Sequence, residues 1–211
     1  MGLGSTILYF IESNIEEVFG KVDGLKMLEL GDQEIRQPKS NQIYYFKDWK
    51  GIDGETSGKE YFTKRGYHHT SVDEKGLRGA EVRDLTKPEQ FLDWHDCFDV
   101  ITNSGTTEHV EPHEAQYDCF KILHDCLKVG GIFIHSVPSV YAHDVLGIWK
   151  GHCKNYYHSQ FFEMLAEEND YELLRNTEMN NNCCVVLRKV IDQPFMDDRN
   201  ALNSLVARRI T

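Results

Sequence analysis

Short apolar runs that stop at a polar or glycine turn recur along this chain, with amphipathic helices between them, and nothing else constrains the fold as tightly. Lys26 to Leu30 is the first run and ends at Gly31. Tyr67 to Val72 stops at Asp73-Glu74, and Ala80 to Val82 stops at Asp84. Phe98 to Ile101 is the fourth run, and Ile132 to Ile134 begins a fifth that ends near Pro138. Residues 5–19 carry Ile7, Leu8, Ile11, Ile15, Val18 and Phe19 on one helical face, with Ser5 as the expected N-cap. Ser57 and Glu60 stand in capping-box spacing at the head of a second helix. Pro112 reads as the first residue of a third, whose buried face is Ala115, Cys119, Ile122, Leu123, Cys126 and Leu127, closed by Gly130-Gly131. Ser159 is expected to cap a fourth helix running to Glu168. Two last strands, about 171–179 and 183–190, are joined by Asn180-Asn181-Asn182, which is hairpin chemistry. Alternation predicts a mostly parallel sheet covered on both faces, and the closing hairpin predicts one antiparallel strand in it.

Composition narrows the function. A net charge of −11 leaves no basic stripe to displace phosphate counterions; Arg208-Arg209 at the tail is the nearest thing. Duplex nucleic acid is therefore not an expected partner. No apolar run approaches the roughly 20 residues of a membrane span. The N-terminus lacks the basic start of a signal peptide, and Glu12, Glu16 and Glu17 interrupt it early. The six cysteines form no CxxC pair and read as free thiols in a reducing cytoplasm. With 211 residues, one domain is the default. Its expected parts are an N-terminal helix over 1–24 packing on the domain, the domain itself over 25–191, and a partly helical tail over 192–211.

The segment from Phe98 to Val110 points to the ligand. Its apolar run gives way to Asn103, Ser104, Gly105, Thr106 and Thr107, then to Glu108-His109. Ligands in open α/β sheets bind just past the carboxyl ends of strands. Two longer stretches interrupt the alternation. Residues 36–56 carry Tyr44, Tyr45, Phe46 and Trp49, either a lid or a satellite core, and 139–157 form a loop rich in Tyr, His and Trp. Gly51 to Lys59 fails as a phosphate loop, because Asp53 stands where a glycine is needed and Glu60 where Ser or Thr is. Ten histidines invite a metal reading, yet no HExxH motif and no ligand-spaced cluster is visible, so no metal is expected. His109 and His113 are four apart with Pro112 between them. His135, His143, His152 and His158 follow the fifth run and could face an acceptor.

In their order, these signals resemble the class I S-adenosylmethionine-dependent methyltransferases over roughly residues 25–190. Met27-Leu28-Glu29-Leu30-Gly31 is similar to the family's first motif. Asp73 sits where the family places an acid at the end of strand two, and Asp84-Leu85 looks like the adenine-flanking pair after strand three. Phe98 to Ile101 with its turn, and Glu108-His109-Val110, resemble the fourth motif. One departure stands out: the family's first turn usually carries two or three glycines, whereas Gly31 is followed by Asp32-Gln33-Glu34-Ile35.

The resemblance implies a three-layer, Rossmann-like α/β fold, with a mostly parallel seven-stranded sheet and one antiparallel strand from the C-terminal hairpin. It implies S-adenosyl-L-methionine as cofactor and methyl transfer to a small-molecule or sugar-type acceptor. Asp73 would accept from the ribose hydroxyls; its plain alternative is an exposed turn residue. Asp84 and Leu85 would flank the adenine, with a loop cap as the plain alternative for Asp84. Glu29 and Gly31 would serve the amino-acid end, and Asn103 would floor the pocket or form the turn. His109 would be the catalytic base, or a structural histidine bonded to backbone. Two other functions compete: a catalytically degenerate binding protein or subunit of the same fold, which the missing glycines favour, and a nicotinamide-dependent oxidoreductase, which the lack of GxGxxG disfavours. Partners reduce to a small-molecule acceptor, with room for a homo-oligomer.

Overall fold

The computed structural model describes residues 2–36 and 52–208. Tyr44, Tyr45, Phe46 and Trp49, the aromatic centre of the 36–56 stretch, lie outside them. In chain order the elements are β1 (Gly2–Leu3), α1 (Ser5–Phe19), β2 (Lys26–Leu30), β3 (Glu34–Ile35), α2 (Gly58–Lys64), β4 (His68–Val72), β5 (Phe98–Ser104), α3 (Gln116–Cys126), β6 (Leu127–Pro138), α4 (Val140–Asp144), β7 (Asn155–Tyr157), α5 (Ser159–Glu168), β8 (Tyr171–Met179), β9 (Asn182–Lys189), α6 (Arg199–Ser204) and β10 (Val206–Arg208). Single 3-10 turns fill several of the connections.

The main sheet has six strands in the order β4-β2-β5-β6-β9-β8. β4, β2, β5 and β6 are parallel, while β9 runs antiparallel to both β6 and β8. The expected third strand, Ala80 to Val82, is reduced to one bridge between Val72 and Glu81. Arg78 and Gly79, both at positive φ, turn the chain just before it could pair further. The sheet is thus one strand short of the expected seven among the described residues. Asn180 and Asn181, with φ of 52° and 65°, form the turn between β8 and β9. Two successive left-handed residues match the twist of a tight hairpin, and Asn tolerates that conformation.

Period-2 alternation buries both faces of the central strands. Met27, Val100, Ile132, Ile134, Cys184 and Val186 face α1 and α2, packing on Leu8, Ile11, Ile15, Tyr61 and Phe62. Leu28, Leu30, Ile101, Phe133, Val137, Val185 and Leu187 face α3, α5 and the tail, packing on Phe120, Leu123, Phe161, Phe162 and Leu202. This is a three-layer arrangement, helices on both sides of one sheet. Both chain ends join these layers, α1 on one face and α6 on the other.

Some ends differ from their expected positions. Gly4, not Ser5, is the N-cap of α1. Ser57 Oγ does accept from the Glu60 amide at 3.2 Å, but the Glu60 carboxylate reaches back one residue further, to the Thr56 amide at 2.8 Å. α3 begins at Gln116, after a 3-10 turn that follows Pro112. The 139–157 stretch is not all loop: Val140–Asp144 is helical, and β7 pairs with β10 of the tail. All six cysteines are free, and five are buried. No helix among the described residues is long and apolar enough to cross a membrane.

Candidate functional site

A cleft of about 920 Å³ opens past the carboxyl ends of β2, β4 and β5. That is the ligand position in open α/β sheets, and small-molecule sites fall at roughly 300–1,000 Å³. Gly31, Asp73, Asp84, Leu85 and His109 all line it. Glu29 and Asn103 do not.

Gly31 leaves β2 at φ 78°, and a β-carbon there would stand 2.7 Å from Thr106 Oγ1 and 2.8 Å from Gln33 Nε2. Only glycine fits. Side chains fill the rest of this turn. Thr106 Oγ1 donates to the Leu30 carbonyl at 2.8 Å, and Gln33 Nε2 donates to the same carbonyl at 3.2 Å. The turn after β2 is thereby stitched to the turn after β5. Gln33 is 3% exposed, and its Oε1 has no hydrogen-bond partner among the described residues. Arg78 crosses the acidic turn, reaching Asp32 at 2.6 Å and also pairing with Glu34.

The opposite end of the cleft is more open. Asp73 follows β4, and its Oδ1 accepts from the Lys75 amide at 2.8 Å. Asp84 Oδ1 accepts from both the amide and the hydroxyl of Thr86, each at 2.8 Å. Leu85 and the exposed Val82 supply apolar wall.

Glu29 and Asn103 are buried behind the cleft. Strand alternation turns Glu29 towards α2, where Gly58 leaves room: a β-carbon there would run into the Glu29 carboxylate. Its oxygens meet the Gln33 amide at 3.0 Å and His69 Nε2 at 3.3 Å. Burial raises its pKa, and the His69 hydrogen bond offsets part of that. Asn103 Nδ2 donates to Thr107 Oγ1 at 2.8 Å and to His135 Nδ1 at 3.1 Å. Tyr157 and Gln116 complete this buried network under the β5 turn. Within that turn only Gly105 and Thr106 face the cleft, while Asn103 and Thr107 brace it from below.

His109 stands at the far rim, its side chain 45% exposed. Beside it the Glu108 side chain is wholly buried, and burial pushes its carboxyl up to about 8. The loop after α4 brings His152 against His109, ring centroids 5.3 Å apart. Ligand atoms of Glu108, His109 and His152 all lie within 4.8 Å of one another. No spacing rule finds this trio, because its third member arrives from a distant loop. His113, by contrast, is held between Asn155 Oδ1 at 2.7 Å and the Asn203 carbonyl at 2.8 Å. His135 sits among Phe120, Phe133 and Phe162.

No family model matches the sequence, and no curated protein sequence is similar to it. Solved structures do match. The 1,6-didemethyltoxoflavin-N1-methyltransferase of Burkholderia thailandensis, solved with S-adenosylhomocysteine bound, is 15% identical with a TM-score of 0.53, over 85% of this chain and 76% of that one. An S-adenosylmethionine-dependent methyltransferase from Mesorhizobium loti is 16% identical with a TM-score of 0.53, over 85% of this chain and 97% of that one. The fold is that of the class I methyltransferases. The PH0226 protein of Pyrococcus horikoshii also matches, at 16% identity and a TM-score of 0.58, over 87% of this chain and 90% of that one. In this chain the first turn has Gly31 as its one glycine, and the Gln33 and Thr106 side chains pack against it.

Proposed function

We propose that the chain transfers a methyl group from S-adenosyl-L-methionine to a small-molecule or sugar-type acceptor in a cytoplasmic setting. The observation that carries this reading is the cleft itself: Gly31, Asp73, Asp84 and Leu85 share one lining, with His109 on the same cleft's rim. The orphaned Gln33 Oε1 supports the fit, since a buried carbonyl oxygen with no donor suits a cofactor ammonium. Asp73 would accept from the ribose hydroxyls. The Leu85 amide and Asp84 would flank the adenine, with Val82 packing on its face. When bound, the cofactor supplies an already activated sulfonium methyl, so alignment does most of the catalysis. His109, on the cleft's rim, would be the base that acts on the acceptor.

One observation favours the second reading, a cofactor-binding protein without turnover: Gln33 and Thr106 fill space that glycines leave open in the family's first turn. Calorimetry with S-adenosylhomocysteine tests the main reading; no binding at submillimolar concentration overturns it. Binding without turnover on any hydroxyl, amine or carbon acceptor supports the second.

A further inference from the structure

The Glu108 carboxylate presents a problem that its surroundings do not solve. Its side chain is fully buried, and neither oxygen has a hydrogen-bond partner among the described residues. His109 Nε2 lies 3.7 Å from Glu108 Oε1, beyond hydrogen-bond reach. A buried acid in this state is costly unless something positive joins it. The two groups above it are exposed imidazoles, His109 and His152. Their positions are braced. The Lys154 amide donates to the Glu108 carbonyl at 3.0 Å, tying the two loops together. Trp149 packs on the His152 ring with centroids 5.1 Å apart.

We infer that Glu108, His109 and His152 form a binding site for a first-row transition-metal dication. Two imidazole nitrogens and one carboxylate oxygen are a donor set for Zn²⁺, Fe²⁺ or Co²⁺ rather than for the oxygen-preferring Mg²⁺ or Ca²⁺. Donor atoms within 4.8 Å of one another can take a single ion between them once the exposed histidine rings turn inward to metal–ligand distances of about 2.0–2.2 Å. The buried carboxylate anchors the ion from below, and the exposed histidines give it an entry path. Three protein ligands leave a position open. Because His109 lines the cleft, that position faces the acceptor. The cation would there hold an oxygen of a hydroxyl-bearing acceptor, and His109 would act as ligand rather than as base. Only this last step rests on the methyltransferase reading; the metal site stands without it.

The test is a titration of chelator-treated protein with Co²⁺, read by its visible d–d absorption. Wild type is expected to bind one equivalent. His152→Ala and Glu108→Gln are expected to lose that spectrum within the titrated range, while His95→Ala, an exposed histidine elsewhere, keeps it. Melting curves of each variant establish that it is folded. Failure of wild type to bind one equivalent overturns the proposal. So does a His152→Ala spectrum matching wild type, or equal loss in His95→Ala. S-adenosylhomocysteine binding by the same metal-free protein is measured in parallel. Its presence without Co²⁺ binding removes the metal site and leaves the methyltransferase reading intact; the converse removes that reading and leaves the metal site.

Discussion

The two turns that close the cleft are built from opposite materials. The turn after β2 carries two acids, Asp32 and Glu34, with Gly31 and Gln33 buried between cleft and sheet. One obligatory glycine shapes it, and Gln33, Thr106 and Arg78 hold it in place. The turn after β5 is underlain by a buried network of amides and hydroxyls, from Asn103 through Thr107 to Tyr157 and Gln116. One turn is set by local conformation and an arginine–carboxylate pair, the other by a buried network of amides and hydroxyls. The cleft between them is thus braced from beneath on one side and held by a single glycine and its side-chain contacts on the other.

That contrast can be broken in four places. The largest effect is expected beneath the β5 turn. His135 is fully buried, and burial lowers its pKa to about 3. The unfolded chain therefore takes up this proton first, at about 6.5. The stability contributed by the neutral folded form is intact above that pH and falls by about 1.4 kcal/mol per pH unit as pH drops towards 3. Denaturation across pH 4–7 should show this slope, and His135→Phe should flatten it; an unchanged slope would remove His135 from the account. Gly31→Ala tests the other turn. Positive φ and two close approaches predict a loss of roughly 2–3 kcal/mol in urea denaturation, and a loss under about 1 kcal/mol would mean the turn relaxes. Asp73→Ala should leave the melting temperature near wild type yet weaken S-adenosylhomocysteine about 10- to 100-fold, as expected for a charge-assisted hydrogen bond of roughly 1.5–3 kcal/mol. Unchanged affinity moves the ribose contact elsewhere. Arg78→Ala should do least. Its pairs are partly exposed, so under about 1 kcal/mol is expected, and a larger change would make this arginine the true organiser of the first turn.

Much of the fold is legible in the chain because its signals are local. Met27 to Leu30 and Phe98 to Ile101 announce buried strands, Gly31 and Asn180-Asn181 announce turns, and the face of α3 follows from spacing. Ala80 to Val82 misleads, because an apolar triplet says nothing of whether the backbone before it can align for pairing. The lining of the cleft by Asp73 follows from its position at a strand end, while Asp84 and Leu85 reach it although the strand expected before them is a single bridge. Glu29 and Asn103 are also near strand ends, but which way a side chain turns depends on strand phase and on what packs opposite, here Gly58 and Thr107. His152 is the clearest case of illegibility. Its approach to His109 and Glu108 is fixed by Trp149 and Lys154, through contacts that no spacing in the sequence encodes.

Whether this cleft holds the methyl donor is tested most directly by isothermal calorimetry of the wild-type protein with S-adenosylhomocysteine. One site per chain with submillimolar affinity, weakened by Asp73→Ala, is the predicted result. No heat of binding at submillimolar concentration would contradict it.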